Sequence, residues 1–409
     1  MTEIPKPRLF YGYTIVVACF LIEACGIGVY VAFGVFFKPL IAEFGWSRAT
    51  ISGATSLAYL SMGFLAILAG SLNDRFGPRM VMLVSGLFCG SGYLLLSQLN
   101  SLWQLYLFYG LVVGIGLSSI DVIALTVTAR WFVRRRGMMT GLVKVGTGAG
   151  QLIMPVLAGI WIMSYGWRHA FAYVGIVVMV VIIGSGLLLR RDPGRTGHVP
   201  DGDSASLQGR PGLPEGGLSL RDAARTPQLW LFCIINFLVM NCLLIIVVHI
   251  VPHASDIGLD PLGAASVVAA IGAVSMVGRL LTGLLVDRVG TRKSITTCFI
   301  FLICSFLWLQ VAREAWMLYV FAAIYGTGHG AFFTLISPTV ARLFGIGSHG
   351  VLLGIVLFSG NLGGAIGPVV AGYMFDRVHS YQLVFLLMAG VCAFGLLLTP
   401  FLKPAVREP

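Results

Sequence analysis

Hydrophobic and polar positions along the chain segregate on the scale of whole helices. Twelve apolar runs stand near 11–36, 48–72, 80–99, 103–129, 138–163, 169–189, 229–253, 262–286, 294–312, 316–341, 350–375 and 382–402. Each is long enough to cross a hydrocarbon core about 30 Å thick as a helix. The polar connectors are short, with one exception. Residues 192–226, DPGRTGHVPDGDSASLQGRPGLPEGGLSLRDAART, are rich in Gly, Pro, Asp and Ser and have almost nothing to bury. Six runs lie on each side of it. The predicted fold is an all-α membrane protein, twelve transmembrane helices in two six-helix bundles, with domains at 1–191 and 227–409 and a cytoplasmic linker at 192–226. Ser219 to Arg225 is expected to form a short amphipathic surface helix before Thr226-Pro227 opens the seventh run. The first residues, MTEIPKPRLF, reach Tyr11 without a short apolar region and small-residue cleavage site, so no signal peptide is expected.

Composition agrees with that class. The 409 residues are 57% hydrophobic and 11% charged, with a mean hydropathy of +0.92, whereas soluble chains carry about 25% charge. A net charge of +11 raises the question of nucleic acid, and its placement argues against it. With both termini inside, Lys38, Arg48, Arg168, Arg313 and Arg377 fall outside and Lys144 and Arg279 fall within spans. The other 20 of the 27 Lys and Arg are cytoplasmic. This positive-inside asymmetry predicts a multi-pass protein of the inner (plasma) membrane with both termini cytoplasmic. The eight cysteines lie in or beside apolar runs without a CxxC pair and read as small core residues, with no disulfide or metal framework.

The halves repeat each other. Gly70, Asp74, Arg75, Gly77 and Arg79 of GSLNDRFGPR match Gly283, Asp287, Arg288, Gly290 and Arg292 of GLLVDRVGTR at an offset of 213, which also carries Gly45 onto Gly258. Under this alignment Arg279 falls on Ala66. Positions at which two halves of one scaffold differ are candidates for substrate chemistry.

Taking Asp287 as the point where the eighth span meets water, Arg279 lies eight residues inside, roughly 12 Å at ~1.5 Å per residue. A cation there is costly unless it faces a wet cavity or an anion, which marks a functional site. The alternative is a snorkelling or structurally paired arginine, but positions 275 and 283, one turn away, are Ser and Gly. Glu23 lies near the midplane of span one, Asp121 deep in span four and Lys144 deep in span five. Spans four and five are antiparallel neighbours, so Asp121 and Lys144 are expected to pair, directly or through water. The pair either takes up and passes a transported proton or clamps two helices, and both readings stand. Glu23 either faces the cavity as a proton carrier or sits protonated between helices.

The second half offers hydrogen-bonding groups instead of charges. Asn241, His329 and Asn361 are midway along spans seven, ten and eleven, and Ser275 stands one turn from Arg279. Phe332 and Phe333 are aromatic walls if they face the cavity and core otherwise. His249 and His253 have i, i+4 metal-ligand spacing, with Asp256 beyond, but no HExxH follows and no metal is expected. GTGAG at 146–150 follows no strand, so a dinucleotide fold fails, and the glycines within spans read as close helix packing.

Two six-span halves in parallel repeat, with GxLxDRxGxR after the second span, resemble the major facilitator superfamily. The resemblance implies a gate, in which Asp74 caps a neighbouring helix while Arg75, Arg79 and, in the repeat, Asp287, Arg288 and Arg292 close the network. Three further stretches, FYGYTIVVACF, WFVRRRGMMTGLVKVGTGAG and RTPQLW, together with the place of Arg279, look like the monocarboxylate transporter family and its bacterial oxalate/formate exchanger relatives. There the eighth-span arginine binds substrate carboxylate, a role carried here to Arg279. Departures limit the likeness. Animal members have Asp where this chain has Ser275 and a lysine near the place of Val31, and the exchanger has a second cation in span eleven, where this chain has none.

The expected function is secondary active transport of a small monocarboxylate of the lactate or pyruvate kind, coupled to a proton and working by alternating access. Arg279, Ser275, Asn361, His329, Phe333 and Asn241 are the substrate-binding candidates, and Asp121, Lys144 and Glu23 the proton-coupling ones. The partners are the anion, the proton and the lipid bilayer, with no cofactor and no obligatory protein partner. A dicarboxylate exchanger is the rival and would need Lys144 as second cation. A membrane-embedded sensor would need a soluble output element, which the linker poorly supplies; drug efflux would want an acidic site. An enzyme is not expected, since no Ser/His/Asp set, metal cluster or phosphate loop stands out.

Overall fold

A computed structural model describes residues 10–196, 199–202, 217–259 and 261–405. Twelve long helices occur among them: α1 Gly12–Ala32, α2 Arg48–Phe76, α3 Pro78–Leu96, α4 Leu102–Trp131, α5 136–165, α6 167–188, α7 Pro227–Asp256, α8 Pro261–Val289, α9 Thr291–Trp308, α10 Ala315–Phe344, α11 His349–Val378 and α12 Gln382–Leu398. Helices α5 and α6 are continuous in hydrogen bonding but turn at Gly166, whose φ of 79° and ψ of 160° suit only glycine. Helix α1 continues through a 3-10 turn, Phe33–Phe36, into a short helix, Phe37–Phe44. Helix α4 is irregular, with a π-helical stretch over Tyr106–Val113.

Several helices outrun the apolar runs that predict them, because local signals end them. Helices α2 and α8 carry their polar ends as far as Phe76 and Val289, where Gly77 (φ 85°) and Gly290 (φ 89°) turn the chain into α3 and α9. The repeat persists in three dimensions. Helices α3 and α9 start at 78 and 291, α4 and α10 at 102 and 315, and α5 and α11 at 136 and 349, each pair 213 residues apart.

Helices α1–α6 and α7–α12 form two bundles. Within them α1 packs on α5, α7 on α11 and α8 on α10; between them α2 lies along α11 and α5 along α8. Glycine sets the closeness of the second kind of contact. A Cβ on Gly350 would lie 2.8 Å from the Gly70 carbonyl, and one on Gly283 would lie 2.7 Å from that of Gly137. Residues 136–150 and 349–360 are mostly buried, while 151–165 and 361–378 are largely open. The bundles are thus drawn together at the end that carries most of the Arg residues.

The linker buries more than its composition suggests. Asp201 accepts backbone N–H bonds from Val133 (3.0 Å), Arg134 (2.8 Å) and Arg135 (3.2 Å), and at the other end Leu218 N–H donates to Phe344 O at 2.8 Å. The expected surface helix is present as Leu220–Ala224, with Ser219 as N-cap and Ala223 fully buried. Linker residues 203–216, and Lys6, Arg8 and Arg407 among the expected cytoplasmic cations, lie outside the described residues.

Candidate functional site

The deep charges of the first half meet at one point. Lys144 Nζ on α5 lies 3.2 Å from Glu23 on α1 and forms an ion pair with Asp121 on α4. The direct Asp121–Lys144 pair expected from depth alone is present, and Glu23 joins it. Thr147, one turn beyond Lys144 on the same face of α5, donates to Glu23 Oε2 at 2.8 Å. Glu23 is fully buried and Lys144 nearly so, whereas the Asp121 side chain keeps 29% of its exposure.

Arg279 enters from the other bundle. Its Nη1 donates to the Lys144 carbonyl at 2.8 Å, and its guanidinium carbon stands 5.6 Å from the Phe333 ring centroid. At 3% exposure its Nε donates to no protein acceptor. His329 follows on the same face of α10, its ring 5.1 Å from Phe333 and 5.5 Å from Tyr325, with Nδ1 buried and unbonded. Phe333 therefore lies beside the guanidinium, while Phe332 is 1% exposed in the core.

The cluster holds two carboxylates and two cations, so its formal charges cancel. Burying such a set is costly unless each member is paired, and here each acid shares the ammonium. Lys144 is committed to these two acids. Among the described residues the Arg279 Nε meets no acceptor while Nη1 is bonded to Lys144 O, which leaves the Nε side of the guanidinium for a carboxylate.

Three candidates lie elsewhere. Ser275 turns its hydroxyl back to Gly272 O at 2.8 Å. Asn241 donates to Gly363 O at 3.3 Å in the seam between α7 and α11. Asn361 faces α2, where a Cβ on Gly63 would lie 2.6 Å from its Nδ2. Among the described residues none of the three hydrogen-bonds to Arg279. Each is polar and central, but depth in a span does not say which face of the helix a residue occupies. His249 sits between Tyr381 Oη (3.1 Å) and Pro368 O (3.0 Å), and His253 packs on Tyr381 and Phe385.

At the Arg-rich end the two motif aspartates make reciprocal caps across the bundles. Asp287 at the end of α8 accepts from Gly137 N–H (2.7 Å) and Met138 N–H (3.0 Å) at the start of α5. Asp74 at the end of α2 accepts from Val351 N–H (3.2 Å) at the start of α11 and pairs with Arg130 at 3.4 Å. The expected ring of motif arginines is not what closes this end. Arg75, Arg79, Arg288 and Arg292 point outward and are exposed, and among the described residues no carboxylate pairs with them. Arg130 takes that place, bridging Asp74 to Asp192 (3.2 Å) and to Gly347 O (3.4 Å). Buried His349 adds a further link, 3.3 Å from Thr126 of the other bundle. The stretch RWFVRRRG, residues 130–137, offered several cations at this place, and only packing distinguishes Arg130.

The comparisons with known proteins accord with this geometry. The family profile described as Major Facilitator Superfamily matches residues 17–310 and 254–409. Monocarboxylate transporter 13 of Bos taurus is 28% identical, the match covering 94% of this chain and 88% of that protein. Monocarboxylate transporter 11 of Homo sapiens is 28% identical over 94% of this chain and 81% of its own length. Among solved structures, the human organic anion transporter MFSD10 superposes with a TM-score of 0.76 at 16% identity, covering 95% of this chain and 99% of that one. The proton:xylose symporter XylE superposes at 0.71 and 13% identity, covering 96% of each.

Proposed function

The chain belongs to the major facilitator superfamily, a superfamily of transporters and not of enzymes, and from that premise we propose a proton-coupled carrier of small monocarboxylates. That the chain is a multi-pass secondary transporter follows from its family and relatives; the substrate, the coupling and the residue roles are our reading.

Arg279 binds the substrate carboxylate through the Nε side of its guanidinium, and Phe333 and His329 wall the short tail. Asp121, the member of the cluster that remains partly open, receives the proton, while Glu23, held by Lys144 and Thr147, keeps the ammonium in place. The observation that carries this is the zero formal charge of the cluster. A monoanion arriving alone would leave one uncompensated negative charge in a low-dielectric cavity, and one proton on a carboxylate restores balance. Proton symport also cancels the cost of moving an anion inward against an inside-negative potential, about 2.3 kcal/mol per 100 mV. Asn241 and Asn361 lie in helix seams, α7 with α11 and α11 with α2, while Ser275 bonds within its own helix.

The rival, a dicarboxylate exchanger, needs a second cation free to bind substrate. Lys144 is shared between two carboxylates, which favours the monocarboxylate. The linker, pinned at both described ends, is a poor output element for a sensor. The domains are residues 1–191 and 227–409 joined by 192–226. The Arg-rich end faces the cytoplasm of the inner (plasma) membrane, with no protein partner required, and the bundles rock so that the site faces each side in turn.

Uptake of labelled lactate into proteoliposomes of the pure protein, with and without an inward proton gradient, tests the reading. Wild type takes up lactate faster with the gradient, Arg279→Ala does not take it up, and Asp121→Asn loses the response to the gradient. Equal uptake by wild type and Arg279→Ala sinks the site assignment. A wild type indifferent to the gradient but driven by an internal acid makes the protein an exchanger.

A further inference from the structure

A pocket lies at the Arg-rich end of the second bundle, apart from the Arg279 cluster. It has a volume of about 140 Å³ and lies where the starts of α9, the end of α10 and the chain after α12 meet. Its floor is Ile295, Leu343 and Leu402, all buried, with Thr291 and Thr339 beside them. Its rim carries Arg292, Arg342 and Lys403, and no Asp or Glu lines it. The Arg342 guanidinium crosses the start of α9 so closely that a Cβ on Gly290 would lie 2.7 Å from its Nη1. Among the described residues none of the three cations donates a side-chain hydrogen bond or forms an ion pair.

The first half does not gather three cations at the equivalent corner: by the 213-residue offset Arg292, Arg342 and Lys403 correspond to Arg79, Ala129 and Arg190, and Ala405 to Asp192. Asp192 is the carboxylate that holds Arg130 at 3.2 Å and Arg191 at 3.5 Å. In the second bundle alanine stands in its place, with its N–H bonded to Leu343 O at 2.9 Å. The cations that Asp192 holds are replaced too, Arg130 by Leu343 and Arg191 by Pro404, so the second half carries a different set of cations here with no carboxylate in the pocket lining. Three converging cations at the membrane's charged margin, above an apolar floor, fit an anion attached to something greasy.

We propose that this pocket binds a phosphate-bearing group, and that its source is the headgroup of an anionic phospholipid in the leaflet at the Arg-rich end. The phosphate sits among Arg292, Arg342 and Lys403, with the start of α9 contributing its positive end. The acyl chains continue over the apolar outer face of the second bundle. Nothing in this rests on the substrate assignment at Arg279.

Native mass spectrometry of the detergent-purified full chain, titrated with phosphatidylglycerol or phosphatidylcholine, tests it. Wild type retains one phosphatidylglycerol in preference to phosphatidylcholine. Ala405→Asp, which places a carboxylate next to the pocket residues Leu343 and Lys403, weakens that retention. Arg292→Gln with Arg342→Gln and Lys403→Gln weakens it roughly 100-fold if each cation contributes as juxtamembrane basic residues usually do. Arg79→Gln, the counterpart of Arg292 in the first half, leaves it unchanged. Equal retention by wild type, Ala405→Asp and the triple variant overturns the proposal, as does loss in Arg79→Gln alone. Displacement of the lipid by millimolar inorganic phosphate, with phosphate itself bound in wild type and not in Ala405→Asp, overturns the lipid source and assigns the pocket to a soluble phosphate. Ala405→Asp keeps the test open should the triple variant not fold.

Discussion

Removing both reciprocal caps should open the Arg-rich end. Asp287 satisfies two N–H groups at the start of α5 and Asp74 accepts at the start of α11. These donors belong to helix starts, where four N–H groups lack partners within the helix. Each aspartate stands in the opposite bundle from the helix it caps, so the bonds exist only while that end is closed. A capping side chain is worth ~0.5–2 kcal/mol, and an ionised acceptor lies toward the upper end. We take about 1.5 kcal/mol for each, or roughly tenfold in the ratio of open to closed forms. The two caps share no partner in the structure, so their effects should add, and Asp74→Ala with Asp287→Ala should raise the ratio roughly 100-fold. Asp287→Asn, which keeps one acceptor oxygen, should do less than Asp287→Ala.

Spin labels on cysteines introduced at Met80 and Lys293 would report it. These positions are exposed, stand at the starts of α3 and α9 and are related by the repeat. Seven of the eight native cysteines are buried, so replacing Cys304 alone removes the accessible one. Pulsed dipolar distances in reconstituted protein should show a longer component that grows from wild type to each single variant to the double. An unchanged distance distribution in the double variant would refute the claim that the caps hold the bundles together.

Two other outcomes follow from the same packing. Lys144→Met leaves Glu23 and Asp121 without their shared cation and should lower stability by roughly 3–5 kcal/mol, whereas adding Glu23→Gln and Asp121→Asn should recover most of the loss in a thermal-unfolding series; strictly additive losses would show that the three do not act as a unit. Gly141→Ala places a Cβ 2.6 Å from the Arg279 carbonyl, so it should force α5 from α8 and slow lactate exchange at least tenfold, while Gly184→Ala, with open space around its Cβ, should not.

The twelve spans and the repeat were legible because they rest on long-range apolar pattern and on a constant offset, both insensitive to local detail. Arg279, Asp121, Lys144 and Glu23 were legible because charge at membrane depth is too costly to be incidental. Ser275, Asn241 and Asn361 were harder, since a neutral polar residue costs little when it bonds to a nearby backbone carbonyl, as Ser275 does to Gly272. Arg130 was hidden among Arg134, Arg135 and Arg136, and only the approach of α11 distinguishes it. Asp201 was hidden for a different reason: one carboxylate in a polar linker carries no sign that three N–H groups await it across the fold.

The division of chemistry between the halves bears on how binding is tied to movement. At the offset of 213, Glu23 corresponds to Asn236, Asp121 to Thr334, Lys144 to Leu357 and Arg279 to Ala66. The neutral counterparts bond to backbone, Asn236 to Val356 O at 2.5 Å and Thr334 to Gly330 O at 3.4 Å, and so stay within their own bundle. The acids and the lysine belong to one bundle and the arginine to the other. Arg279 is joined across the gap by a single bond, Nη1 to Lys144 O. A hydrogen bond to a neutral carbonyl is weaker than one to a carboxylate, so on the proposed assignment a substrate anion would not compete with a strong ion pair to reach the guanidinium. A proton on Asp121, as proposed, would in turn weaken the hold of that carboxylate on Lys144. On the proposed mechanism each event would change the electrostatics of one bundle, and together they would return the gap between them to zero charge, the condition under which the bundles could move with both ligands enclosed.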